Sequence, residues 1–130
     1  MPLTTEIRFI EAAEAVLGAK LPTSFREYLL KNNGGEMVIM GILWELNSVF
    51  DTSDEERIRR TSIDIIKETA SAREWRDFPR KAVSIGSDGS GNYLVFLPDE
   101  HDVSSLNPTL LIWWHEGSEL EIAANDFGEL

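Results

Sequence analysis

LPTSFREYLLKNNGG at Leu21–Gly35 and IGSDGSGNYLVFL at Ile85–Leu97 decide how this 130-residue chain is read. In the first stretch Pro22 stands near a helix start, where its fixed φ suits the first turn and its missing N–H is not needed. Phe25, Tyr28 and Leu29 recur at i, i+3 and i+4, the spacing of one buried helical stripe. Asn32-Asn33-Gly34-Gly35 then stops the helix, because Asn and Gly enter the left-handed conformation at low cost. The chain must therefore turn sharply before Met37. In the second stretch Gly86, Gly89 and Gly91 punctuate a turn-forming loop over 87–91. The run from Tyr93 to Leu97 that follows is rich in β-branched and aromatic residues and reads as a strand.

Outward from these two anchors, residues 4–17 read as a first helix, with Ile7, Ile10, Ala13 and Leu17 on the buried side and Glu6, Arg8, Glu11 and Glu14 off it. Gly18 ends it. The second helix covers 23–32. Met37–Met40 and Leu43–Leu46 flank Gly41 and read as two strands or one bent strand. The polar break at Asp51–Asp54 offers helix-capping residues, and Glu55 and Glu56 suit a first turn. A third helix over 53–74 follows, burying Ile58, Ile65, Ile66 and Thr69 and turning Arg57, Arg59 and Arg60 to water. Strands are expected over 82–85, 92–97 and 110–115, with Pro79, Pro98 and Pro108 at their margins, where proline is tolerated. Helices first and strands later make the fold α+β: one domain over residues 1–130, with N-terminal helices packed on a central, mostly antiparallel sheet and a short C-terminal helix.

The chain has no cysteine, which removes disulfides, thiolate metal ligands and a cysteine nucleophile. Its start, MPLTTEIRF, has neither a basic n-region nor an apolar h-region, and no apolar run approaches the ~20 residues that span a bilayer, so a cytoplasmic protein is expected. Net charge is −11. Residues 1–81 hold 14 acids and all 12 bases, whereas residues 82–130 hold nine acids and no Lys or Arg. An acidic surface disfavours direct binding to nucleic acid or an anionic membrane. It serves either as a solvated, solubilising face or as an electrostatic surface for a basic partner.

The order of the two anchor stretches, with Trp113-Trp114-His115-Glu116 after them, resembles the SUKH superfamily over residues 5–128. That superfamily includes a fungal cell-wall assembly regulator and many bacterial toxin-immunity proteins. The resemblance implies structural roles for Pro22, Asn33, Gly34, Gly35, Gly86, Gly89, Gly91 and Trp113. Three positions depart from the family pattern. Trp114 stands where Asp is usual between Trp and His, Asn92 stands where Asp is frequent after the loop glycine, and 123–130 looks like the start of the family's last helix but stops early.

The residues supply little support for catalysis or for a cofactor. Asp88, Ser90 and Asn92 alternate, with Asp99 at the twelfth position, but the sixth position is Tyr93 where a calcium loop of the EF-hand kind needs Gly. Ser90 lies between glycines without the G-x-S-x-G pattern. His115-Glu116 has Glu119, not His, four residues on, so no zinc-protease motif is present. The adjacent acids Asp99-Glu100 sit on a polar segment, where carboxylates are ordinarily solvated. Strand alternation puts Ile112 and Trp114 on one face and Leu111, Trp113 and His115 on the other. The family alignment favours a core role for Trp113. Trp114 is then partly exposed and anchors a partner, unless helices cover both sheet faces and bury both rings.

The reading is thus a non-enzymatic protein-binding module. By resemblance its most concrete form is an immunity protein that binds a cognate polymorphic toxin, with nucleases among such toxins and a basic toxin domain as partner. The expected contact residues are Asp88, Asp99, Glu100, Asp102, Trp114, Glu116, Glu119 and Glu121. An intracellular regulatory adaptor or scaffold is the alternative, and a ligand cleft beside Asn33–Gly35 and Gly86–Gly91 a third reading.

Overall fold

Two amphipathic helices, α1 (Ile7–Leu17) and α2 (Thr23–Lys31), open the chain in the computed structural model, which describes residues 3–130. Residues 1 and 2, the first of the stretch read for a leader, lie outside the described residues. Gly18 caps α1 with φ of 74°, its N–H bonded to the Glu14 carbonyl, and Pro22 caps the start of α2. The first helix begins later than its periodicity predicts. Residues 4–6 instead run extended beside the end of α2, where the Thr5 N–H donates to the Leu30 carbonyl and the Asn33 N–H donates to Leu3. Ile7, counted on the buried stripe, is exposed. Glu14, counted off it, is buried: its carboxylate accepts the Leu21 N–H at 2.7 Å and lies 3.1 Å from Arg26 Nε. A buried carboxylate is tolerated there because it is both hydrogen-bonded and ion-paired, and the pair ties α1 to α2.

Asn33-Gly34-Gly35 converts helix into strand. Both glycines have positive φ, 104° and 89°. The buried Asn33 amide meets the backbone of Val49 in both directions, donating to its carbonyl at 2.9 Å and accepting its N–H at 2.8 Å. A side chain thus does what a neighbouring strand would do for a buried peptide group.

Six strands follow: β1 (Glu36–Ile39), β2 (Ile42–Leu46), β3 (Val83–Ser87), β4 (Tyr93–Phe96), β5 (Leu110–Trp114) and β6 (Glu119–Ala124). They form one antiparallel sheet in chain order. The residues around Gly41 are two strands: Met40 and Gly41, with φ of 53° and 75°, make a two-residue turn with the left-handed geometry that hairpins favour.

The helix predicted over 53–74 is two helices, α3 (Glu55–Arg60) and α4 (Ile65–Ala72). Short polar side chains break it by bonding to nearby backbone. Thr61 returns its hydroxyl to the Arg57 carbonyl at 2.6 Å and accepts the Asp51 N–H, while Asp64 caps the start of α4 by accepting the Lys67 N–H. The segment between them pairs with Ser48, whose carbonyl accepts the Ile65 N–H. Ile58 consequently faces water, whereas Ile65 and Thr69 are buried as expected. Arg57 is not a free surface charge either; it contacts Asp54 at 2.8 Å and donates to the Thr4 carbonyl and hydroxyl.

The main core lies between the helices and one sheet face, around Ile10, Phe25, Leu29, Trp44, Leu94, Phe96 and Ile112. A smaller cluster, Ala72, Phe78, Ala82, Val95 and Trp113, covers the middle of the opposite face. The short C-terminal helix expected over the closing segment is a single 3-10 turn that follows a sixth strand. Strand β6 runs through Ala124, and a 3-10 turn, Phe127–Glu129, drops Phe127 into the main core 4.9 Å from Phe25 and 5.0 Å from Tyr28. The alternation of Glu119, Leu120, Glu121 and Ile122 is the strand signal in that stretch. No helix among the described residues is long and apolar enough to cross a membrane.

Two stability measurements follow from these contacts. Asn33→Ala strands both peptide groups of Val49 and should lower the unfolding free energy by about 2–4 kcal/mol, read from urea midpoints. Asp51 is buried, and burial raises its pKa, but the Ser53 hydroxyl and amide, the Thr5 hydroxyl and the Arg57 charge outweigh burial and hold it below the ordinary carboxylate range. Its ionised form therefore stabilises the fold above the unfolded value of about 3.9, and that contribution is lost as pH falls through the lower folded value. Asp51→Asn should be less stable at pH 7 and should show a shallower loss of stability below about pH 4; parallel pH profiles would overturn this role.

Candidate protein-binding surface

The glycine-rich loop and the tryptophan stretch meet at one end of the sheet. The Asp88 carboxylate closes the β3–β4 loop by accepting the N–H groups of Ser90 and Asn92 and the Asn92 side-chain amide. Asn92 in turn accepts the His115 N–H at 3.0 Å, and its carbonyl oxygen lies 2.8 Å from His115 Nδ1. Asn92, at the position where the family often has Asp, is thus the joint between the two loops. Gly91, with φ of 96°, lies under the Trp75 ring; a Cβ there would sit 3.1 Å from that ring and 3.2 Å from His115 Nδ1. Trp75 stacks obliquely on His115, 5.4 Å between ring centres, and donates its N–H to the Tyr93 hydroxyl.

The two adjacent tryptophans part as strand alternation requires. Trp113 is buried on the face away from the N-terminal helices, 5.1 Å from Phe78 and 6.2 Å from both Trp75 and Tyr93. Its Nε1 has no hydrogen-bond partner among the described residues. Trp114 lies on the helix-side face, half-buried against the main core, opposite Glu119 across the hairpin. Its N–H donates to Glu121 at 2.9 Å. The covering of the Trp113 face comes from the end of α4 and the turn to Phe78, not from the first two helices.

The acids expected to meet a partner divide between two ends of the sheet. Because each strand reverses the last, the β3–β4 loop with Asp88 and the β5–β6 turn with Glu116 share one end, and Glu119 and Glu121 lead away from it along β6. Asp99, Glu100 and Asp102 lie in the β4–β5 connection at the other end, a strand of four to five residues or about 13–17 Å away. Two of these three carboxylates build their own loop. Asp99 accepts the N–H groups of His101 and Asp102, and Asp102 accepts the hydroxyl and N–H of Ser104. The Ser104 hydroxyl, then its amide, holds the Asp102 carboxyl below its usual range. Trp114, Glu116, Glu119 and Glu121 are the contiguous group.

An open cleft of about 380 Å³ runs beside Gly34 and Gly35, with Glu36, Glu45, Glu68 and Ser87 on its walls. Of the second glycine stretch only Ser87 reaches it. The positive φ values of Gly34 and Gly35 belong to the helix-to-strand turn, and the Asn33 amide is committed to Val49. Sequence reasoning missed Trp75, Leu120 and Ile122, which are large and exposed on the Trp113 face: Trp75 meets the Trp113 ring edge-on, and Leu120 and Ile122 stand opposite Trp113 and Leu111 on β6. The period-two pattern of 119–122 carries the signal for the last two; Trp75 sits in the charged turn after α4 and carries none.

No curated protein matches the chain. The SMI1 / KNR4 family (SUKH-1) matches it over residues 6–130. That range includes Asn33–Gly35 at the helix-to-strand turn, Gly86–Asn92 in the loop bonded to His115, and Trp113 in the second core. The chain belongs to the SMI1 / KNR4 (SUKH-1) family.

Proposed function

We infer that this chain is a non-enzymatic protein-binding module that neutralises a toxin domain by direct contact, with a basic partner surface such as a nuclease substrate groove as the target. The observation that supports the reading is the β5–β6 hairpin: Trp114, Glu116, Glu119 and Glu121 lie together on it, in the third of the chain that has no Lys or Arg. A half-buried aromatic ring among carboxylates combines the two features that interfaces use, an anchor and a charge. Asp88 adds to this end, while Asp99, Glu100 and Asp102 contribute to the long-range field from the other. The family also contains a cell-wall assembly regulator, so an adaptor role is the competing reading; capture of several unrelated partners would favour it.

The test begins with capture from native lysate at low salt and identification of what is bound. One dominant basic protein whose toxicity the chain suppresses supports the reading; suppression without complex formation overturns it. With that partner purified, the association rate should fall at least about tenfold between 50 and 500 mM salt, since steering is screened beyond roughly 10 Å at 0.1 M. Trp114→Ala should weaken binding by about 2 kcal/mol or more with the fold retained. Trp113→Ala, which empties a packed site, should cost about 3–5 kcal/mol of stability. A Trp114→Ala protein that is folded and binds normally removes the anchor.

A further inference from the structure

The β6 strand is the last in the sheet order, and among the described residues no strand or isolated bridge pairs with its outer side. Such an edge presents unpaired N–H and C=O groups, and proteins ordinarily blunt it with Lys, Pro, a bulge or a very short strand. The opposite edge, β1, is four residues long and enters through Gly34-Gly35. On β6 the register slips only near Ala123, where Leu110 faces Ala124 and Leu111 faces Ile122, so Glu119–Ile122 is a regular, open stretch. Its two faces differ in chemistry. Glu119 and Glu121 stand on the Trp114 side, opposite Trp114 and Ile112; Leu120 and Ile122 stand on the other side, opposite Trp113 and Leu111, and are 43% and 59% exposed.

We propose that the β6 edge is the docking line of this chain, and that its occupant is an extended segment of the partner protein in which Lys or Arg alternates with apolar residues, added as a seventh strand. The basic side chains would meet Glu119 and Glu121, within reach of the Trp114 ring, while the apolar ones cover Leu120 and Ile122. Charge selects this occupant over a second copy of the chain. Any register that lays the Leu120 and Ile122 faces of two copies together also lays their Glu119 and Glu121 side by side, and like charges opposite one another destabilise a ladder. The inference rests on the protein-binding reading above and deepens it by naming the contact mode.

The experiment uses the whole chain with three labelled octapeptides: alternating Lys and Val, the same peptide N-methylated at every residue, and an alternating Glu and Val twin. The Lys-Val peptide should bind at low salt, slow amide hydrogen exchange at Glu119–Ile122, and lose at least about tenfold in affinity in the double variant Glu119→Lys, Glu121→Lys. The N-methylated peptide, equal in charge but unable to complete the ladder, and the Glu-Val twin should not bind. Equal binding of the N-methylated peptide, or protection away from β6, overturns strand addition while leaving an acidic contact face standing. Absence of binding by all three, or a β6-dependent dimer of the chain alone in sedimentation, also overturns it. A double variant that still captures the same lysate partner with unchanged affinity and toxin suppression overturns the β6 docking line alone; the protein-binding reading fails separately, if the unaltered chain captures no dominant partner.

Discussion

The two-way hydrogen bond between the Asn33 amide and the Val49 backbone is the constraint on which the architecture depends. It joins the exit of α2 to the segment that leaves β2, two places 16 residues apart in the chain. Gly34 and Gly35 can hold their left-handed conformations because the turn is pinned on both sides: Asn33 to Val49, and the Gly35 carbonyl to the Leu46 N–H. With that corner set, the helical layer has one angle to the sheet, and Phe25 and Leu29 of α2 face Phe96 and the rest of the main core. The ion pair between buried Glu14 and half-buried Arg26 then positions α1 against α2. In both cases a polar group is buried with its partners supplied, which favours one arrangement over nearby alternatives.

Where the sequence was legible, a local rule agreed with the tertiary environment. Gly18, Pro22 and Asn33–Gly35 mark the ends of elements through backbone preferences that packing did not override. Strand alternation separated Trp113 from Trp114 correctly because β5 is regular across both. The single third helix failed for a reason that composition hides. Thr61, Ser62 and Asp64 are acceptable inside a helix by propensity, yet Ser48 offers the local backbone a better set of partners. Strand β6 was obscured because its apolar residues face outward. Leu120 and Ile122 alternate with glutamates as a strand should, but neither fills the main core, and the family resemblance pointed to the start of a last helix at Ala123.

The candidate site shows the limit of charge counting. Nine acids in the last 49 residues announce a field, but not which carboxylates are free to meet a partner. Asp88 and Asp102 have both oxygens occupied by N–H and hydroxyl groups of their own loops, and Asp99 has one so occupied. Their geometry serves the turns, so what they offer a partner is long-range field and not a free contact. The glutamates of the hairpin are different: apart from Glu121, which holds the Trp114 N–H, their carboxylates project into water beside an aromatic ring. Spacing in the chain cannot distinguish these cases, because an Asp two residues before a backbone N–H and an Asp on an open surface look alike until the loop is folded.

The seating of Phe127 between Phe25 and Tyr28 has a bearing on how much disorder the β5–β6 hairpin carries. Strand β6 is held at one end by the turn from β5 and at the other by an aromatic side chain locked in the main core. An edge strand tethered at both ends gives up little conformational freedom when a second chain lies along it. The entropy loss of association then falls almost wholly on the incoming segment. In the docking mode proposed above, such a rail would discriminate by what its partner must give up, so a segment already extended by its own fold would be preferred over a flexible one of identical sequence.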